Sequence, residues 1–209
     1  MFKHYLLLRY NLTLFSTNVY NVADPDRWMN KRLPKFFRLL ESLKAQTHKD
    51  FTLVVGVDYD TPDSYIKDIV DYLDLSGVTY HLVYEQPSEW LKRREKESEW
   101  LITSRIDNDD EYLPSFIGFI QQAFREKEEV LDVYGMQCLN GELYSSGRPH
   151  ANSPFITLVE RWDLPKTVHY KAHSVMNGEY PARFVGTNPL YIQHIHDNNI
   201  MNKIIGKKL

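Results

Sequence analysis

The sequence is short of several things, and each shortage narrows what the chain can be. It has one cysteine in 209 residues, Cys138. No intramolecular disulfide can form, which fits a reducing compartment and a cytoplasmic location. Cys138, in Val133-Tyr134-Gly135-Met136-Gln137-Cys138, reads as a small core residue. No apolar run approaches the length of a membrane span. The opening Met1-Phe2-Lys3-His4-Tyr5-Leu6-Leu7-Leu8-Arg9 has a brief apolar stretch without an extended signal-peptide core, so it reads as a buried first strand. Charge of one sign is scarce too: 25 Lys and Arg face 28 Asp and Glu, a net charge of −3. Nothing in that balance points to bulk nucleic-acid binding. The tail Lys203-Ile204-Ile205-Gly206-Lys207-Lys208-Leu209 is mildly basic and apolar, and reads as a frayed terminus or a weak peripheral contact with an anionic membrane. Repeats, low-complexity tracts and linkers are absent. One domain over residues 1–209 is expected, long enough for a full hydrophobic core.

Aromatics are plentiful, at 13% with 14 tyrosines and 4 tryptophans. Core and rim packing takes most such residues, but the excess also suits a concave surface for a flat, hydroxylated ligand. Apolar patterning predicts strands at Phe2 to Arg9, Phe51 to Val57, Val78 to Tyr84, Trp100 to Ile106, Val130 to Cys138, Phe155 to Val159 and Leu190 to His196. It predicts helices over Trp28 to Ala45, from Pro62 onward, over Glu85 to Glu99 and over Pro114 to Glu129. Tyr10 to Arg27 is a long polar loop, Asn140-Gly141 a hairpin turn, and Tyr144 to Pro154 a loop. Strands alternating with helices imply an α/β fold with a mostly parallel sheet flanked by helices. Ligands of such sheets bind at the carboxyl ends of the strands.

Two acidic sites stand at such ends: Asp58 after the second strand, and Thr103-Ser104-Arg105-Ile106-Asp107-Asn108-Asp109-Asp110 after the fourth. Crowded carboxylates repel unless a cation sits among them. A strand ending in Asp-x-Asp suits a hard divalent ion that bridges diphosphate oxygens. The plain alternative is a solvated turn opening the next helix. Arg105 and Asp107 are two apart and share a strand face, as do His194 and His196.

The strand order, with an acid after the second strand and Asp-x-Asp after the fourth, resembles the glycosyltransferase-A fold. More narrowly, five segments resemble the rhamnosyltransferase-like group of bacterial and phage glycosyltransferases. They are Trp28…Arg32, Leu43…Gln46-Thr47…Phe51, the acidic run, Ser153-Pro154-Phe155…Glu160 and His196-Asp197-Asn198-Asn199. The resemblance spans nearly the whole chain.

It implies a nucleotide-binding half (1–110) and an acceptor-side half (111–209). It also implies a metal-dependent glycosyltransferase that moves a sugar from a nucleotide-sugar donor to a glycan or lipid-linked acceptor. Asp109 is then the metal ligand, with Asp107 at the ribose or a metal-bound water, and His196, preferred over His194, completes the shell. The ion is Mn²⁺ or Mg²⁺, and a histidine nitrogen leans towards manganese. Arg105 meets phosphate or else holds the acidic loop in shape by a salt bridge, Arg9 meets base or diphosphate, Asp58 meets base or ribose, and Tyr59 stacks on the base. Asp110 is a helix cap or a group behind the ligands. Glu160, or else Asp163, serves as general base if the reaction inverts. Arg148, His150 and Asn152 sit in a loop that binds acceptor or closes over donor. The second-strand motif Val-Asp-Tyr-Asp lacks the usual Asp-Asp-Gly-Ser, and no Glu-Asp acceptor motif is present. Two alternatives remain. One is a non-catalytic sugar- or nucleotide-binding protein of the same fold. The other is a sugar nucleotidyltransferase, disfavoured because Tyr10-Asn11-Leu12-Thr13-Leu14 holds no glycine for a phosphate loop.

Overall fold

A run of leucines that is apolar on both sides can only be a strand covered on both faces. Phe2–Arg9 (β1) is that strand, with Leu6, Leu7 and Leu8 fully buried. The computed structural model describes residues 1–19, 21–147, 153–196 and 203–209. β1 lies inside a seven-stranded sheet, between Thr52–Gly56 (β2) and Trp100–Ile106 (β4), with Tyr80–Val83 (β3) outside β2. These four strands run parallel.

Helix Pro25–Lys44 (α1) separates β1 from β2. Asp24 caps it by accepting the Arg27 N–H at 2.8 Å, and Pro25 occupies its first turn. Its buried residues Met29, Leu33, Phe36, Leu40 and Leu43 recur at helical spacing and pack on the β1 face that carries Leu6 and Leu8. Asp63–Ser76 (α2) lies on the same side and ends at Gly77, whose φ of 65° is the left-handed cap that glycine adopts without strain. The opposite face carries Tyr5, Leu7, Val54 and Leu101. It is covered by Pro87–Lys92 (α3) and by the segment that begins at Trp162.

After β4 come Glu111–Tyr112 (β5), Phe116–Ala123 (α4), Glu129–Val133 (β6), Met136–Leu139 (β7), Glu142–Ser145 (β8) and Thr157–Arg161 (β9). The chain continues with His173–Glu179 (α5), Ala182–Val185 (β10), Tyr191–Ile195 (β11) and Lys207–Lys208 (β12). The large sheet has the order β10-β6-β9-β4-β1-β2-β3, and the small one β12-β8-β7-β11-β5. β9 alone runs against its neighbours in the large sheet. The small sheet decides where the late histidines go. β11 pairs antiparallel with β5, Tyr191 opposite Tyr112 and Ile192 opposite Glu111. β5 immediately follows the acidic run, so that pairing brings β11 to the carboxyl end of β4.

Four expected elements differ from those found. The charged stretch 85–99 holds one short helix, α3, because Pro87 starts it late and the residues after Lys92 turn out to solvent. α4 stops at Ala123, where Phe124 turns extended and packs on Phe2 at 4.7 Å and Trp100 at 6.0 Å. The expected strand 130–138 is two strands in two sheets. It breaks at Gly135, where an added Cβ would come within 2.2 Å of the Tyr191 ring. The expected loop from Tyr144 begins inside β8, which forms a hairpin with β7 across Asn140-Gly141, both at positive φ as a tight hairpin turn requires.

Candidate active site

The acidic run leaves β4 at Ile106 and is held from several sides. The Asn108 side chain donates to the Tyr10 carbonyl at 2.8 Å and accepts from Arg32 Nη1 at 2.9 Å. The same Arg32 nitrogen ion-pairs with Asp109 Oδ2. Arg38 Nη2 donates to the Asp109 carbonyl at 2.8 Å and pairs with Glu111 at 3.0 Å. Arg32 and Trp28 are four apart on α1, and the guanidinium lies 5.1 Å from the centre of the indole ring. Tyr112, stacked on Phe116, donates its hydroxyl to the Arg105 carbonyl at 2.7 Å and closes the turn from behind.

His196 Nε2 meets Asp109 Oδ2 at 2.6 Å. Asp109 is buried, and burial alone would raise its pKa. The charges of Arg32, His196 and Lys35 outweigh that and hold the carboxyl below its usual range. Burial lowers the His196 pKa, and Asp109 works against that fall. Asp110 does not cap a helix, since α4 begins at Phe116 with Ser115 before it. It accepts the His194 backbone N–H at 2.7 Å and so clips β11 to the acidic run. Burial, then the charges of Asp109 and Asp107, push its carboxyl well up. His194 itself pairs with Glu111 at 2.6 Å and does not reach Asp109 by any hydrogen bond among the described residues.

Asp107 takes the other side. It is partly exposed and pairs with Arg105 at 3.2 Å. Thr103 and Arg105 point to the face that α1 does not cover, where the Val168 N–H donates to Thr103 Oγ1 at 2.8 Å. Among the described residues no three His, Cys, Asp or Glu side chains converge as a metal shell. Asp109 and His196 are brought together, and Asp107 turns to Arg105.

Asp58 is buried and serves the long loop after β1. Its Oδ2 accepts the Phe15 N–H at 2.8 Å, the Ser16 N–H at 2.9 Å and the Ser16 hydroxyl at 3.0 Å, and its Oδ1 accepts the Asp60 N–H at 3.1 Å. Burial raises its pKa, but these bonds win and lower it. The Asp58 N–H in turn donates to Asn11 Oδ1 at 3.1 Å. Asp58 thus shapes the loop with the oxygens that contact with a base or ribose would need. Tyr59 next to it is 68% exposed at the rim, and Arg9 ends β1 on the side of Arg105.

The two expected general bases are at the wrong end. Because β9 runs antiparallel, Glu160 lies opposite Leu101, near the start of β4. Six residues separate Leu101 from Asp107, about 20 Å at the strand rise. Glu160 accepts the Lys166 and Thr167 N–H groups, both at 2.8 Å. Burial pushes its pKa up to about 7 against the pull of those donors. Asp163 is on the surface, paired with Lys96 at 2.6 Å and Arg161 at 3.6 Å. Arg148, His150, Asn152 and Asp197-Asn198-Asn199 lie outside the described residues.

His169 carries no sequence signal of its own. It follows Val168 on the face away from α1, and burial, then the charges of Arg9 and Arg105, hold its imidazole well below the usual range. The missed Arg32–Asn108 contact had one faint cue, the i, i+4 spacing of Trp28 and Arg32.

Among the described residues no helix is long and apolar enough to cross a membrane. The family described as "putative rhamnosyl transferase" matches residues 17–208. The solved structure of S. aureus TarS 1-349 superposes with a TM-score of 0.54 at 16% identity, over 92% of this chain and 60% of that one. A longer S. aureus TarS structure gives 0.53 at 16% identity, over 92% of this chain and 37% of that one. The chain therefore spans less than two thirds of either TarS structure, and the likeness is one of fold: a glycosyltransferase-A-like sheet flanked by helices. No curated protein matches the chain.

Proposed function

The chain belongs to the putative rhamnosyl transferase family, and from that premise we propose a metal-dependent glycosyltransferase that moves a sugar from a nucleotide-sugar donor to a glycan or lipid-linked acceptor. One observation supports it above the rest. A carboxylate and an imidazole nitrogen from distant parts of the chain meet at 2.6 Å at the carboxyl end of a central parallel strand, where ligands of such sheets bind.

The residues present fit a divalent ion. Asp109 offers oxygen and His196 nitrogen, a pair more natural to Mn²⁺ than to Mg²⁺. Two protein donors leave the remaining positions to water and diphosphate oxygens. When bound, the ion supplies charge neutralisation for the departing nucleoside diphosphate. The chain's own residues do the positioning. Arg32 and Asn108 fix the acidic run against α1 and β1. Asp107 faces the nucleotide side, and exposed Tyr59 offers a ring for the base. Asp58 keeps the 11–18 loop in shape beneath them.

A second reading has its own support. Arg32 already neutralises Asp109, as it would in a sugar- or nucleotide-binding protein of the same fold that uses no metal. Thermal melting with UDP, GDP and dTDP, with and without Mn²⁺, separates the two. The transferase predicts stabilisation by one nucleotide only when the ion is present, abolished by EDTA. Equal stabilisation without the ion supports the binding protein and removes the metal.

A further inference from the structure

Three hydrogen-bond donors from three separate segments gather on the side of the carboxyl edge away from Asp109. Arg105 nearly ends β4, on the face that also carries Thr103. Arg9 ends β1 on that face, two residues beyond Leu7, which lies opposite Arg105. The third is His169. Val168 is anchored to Thr103 Oγ1 and packs with Tyr5, Leu7 and Leu101. The chain after β9 thus climbs this face from Glu160 towards the carboxyl ends and delivers His169 beside the two arginines, whose charges it feels.

Among the described residues, His169 Nδ1 and Arg105 Nε are both buried without a hydrogen-bond partner. A buried nitrogen without a partner costs least as a bare lone pair, since orphaned donors are the rarer case. That puts the imidazole proton on Nε2, where it is a donor. The carboxylate paired with Arg105 is Asp107, which is itself partly exposed.

We propose that Arg9, Arg105 and His169 form a phosphoryl-binding subsite, separate from the Asp109–His196 corner. Guanidinium groups match phosphate oxygens with paired donors, and a neutral imidazole adds a third direction without adding repulsion. The phosphoryl group belongs either to the leaving nucleoside diphosphate or to a phosphorylated acceptor. That choice rests on the glycosyl-transfer reading, and the binding itself does not.

The test follows the histidine ring signals of the whole chain by ¹H–¹⁵N NMR without divalent metal, with His169→Gln identifying the His169 signal. Inorganic pyrophosphate, glycerol 3-phosphate and the three nucleoside diphosphates are added in separate titrations. At least one should move the His169 signal saturably. Arg105→Gln, or Arg105→Lys if the first melts early, should weaken that response tenfold or more, and Asp109→Asn should leave it within twofold. A response confined to nucleoside diphosphates assigns the subsite to the leaving group. A response to glycerol 3-phosphate that survives saturating nucleotide assigns it to the acceptor. If no phosphate compound moves His169, or both Arg105 variants bind as the parent does, the subsite is wrong. A His169 response in a protein without metal-dependent nucleotide binding would keep the subsite and remove the metal-dependent transferase.

Discussion

The Asp109 carboxylate and the His196 imidazole meet at 2.6 Å although 87 residues separate them in the chain. Two short pieces of sheet make the meeting possible. β5 continues from the acidic run, and β11 pairs with β5. The Asp110 carboxylate then holds the His194 N–H, so that the strand cannot slide by one residue and turn His196 away.

Asp109→Asn tests the centre of that arrangement. The amide keeps an oxygen for Arg32 and loses the charge. Sugar transfer and donor hydrolysis should fall on the order of a hundredfold or more, as when transition-state charge loses its partner. Metal-dependent nucleotide stabilisation should vanish while the circular dichroism spectrum holds. Unchanged turnover would sink the metal assignment.

Arg32→Met removes the cation from a buried pair and leaves Asp109 uncompensated. The expected loss is about 3–5 kcal/mol of unfolding free energy, the usual result of stripping one partner from a buried ion pair. Urea unfolding measures it. Arg32→Lys keeps the charge but loses the planar guanidinium whose Nη1 meets both Asn108 and Asp109, and its loss should fall between zero and that of Arg32→Met. A loss below about 1 kcal/mol in Arg32→Met would mean the pair is exposed in solution, where such pairs contribute little.

Glu160 makes a pH prediction with a definite sign. Its folded pKa, about 7, lies above the usual carboxylate value of 4.5. The folded state therefore binds more protons than the unfolded state between those values, and stability falls as pH rises. The contribution is fully present below about pH 4.5 and is lost as pH rises through about 7, a difference of about 3 kcal/mol. Melting temperature against pH should show this fall, and Glu160→Gln should flatten it. Since Glu160 sits at the far end of β4, that variant should keep turnover within about twofold. A turnover loss on the scale of Asp109→Asn would restore Glu160 as the general base.

Asp58→Ala should release the loop after β1. Phe15 and Ser16 lose the acceptor of their N–H groups, at a cost of about 1–3 kcal/mol for each group left buried and unpaired. Hydrogen exchange at those two amides should speed up while exchange in β1 and β4 stays slow. Acid acts in the same direction. With its pKa lowered by the loop's own donors, Asp58 stabilises the fold above its unfolded pKa of about 3.8, and that stability is lost as pH falls through the folded value. Unaltered exchange at Phe15 and Ser16 would mean the loop is held by something else.

Much of the frame was legible in the sequence. Leu6-Leu7-Leu8 is apolar on both sides and could only be a central strand. The spacing of Leu33, Phe36, Leu40 and Leu43 drew α1, and Ile106 marked the end of β4 to the residue. Strand direction was not legible. Phe155 to Val159 reads the same whichever way it runs, because local apolar pattern says nothing about which neighbour a strand finds. Glu160 was therefore assigned to the wrong end of the sheet. Direction also hid the His169 cluster, since only an antiparallel β9 sends the following residues back towards Arg9 and Arg105. Asp58 failed differently: its place was right, but its partners are backbone N–H groups of a loop whose path no side-chain pattern records.

The position of β9 has a consequence for how the chain assembles. Residues 2–106 hold four strands that pair side by side as they emerge, so that half of the large sheet can form early. β6 touches none of them, because β9 stands between it and β4. Until residues 157–161 have been made and inserted, the outer edge of β4 stays open, and an open edge invites pairing with another chain. A nascent chain stalled before β9 should be the species most prone to aggregate, and the Asp109–His196 corner should be among the last parts to mature.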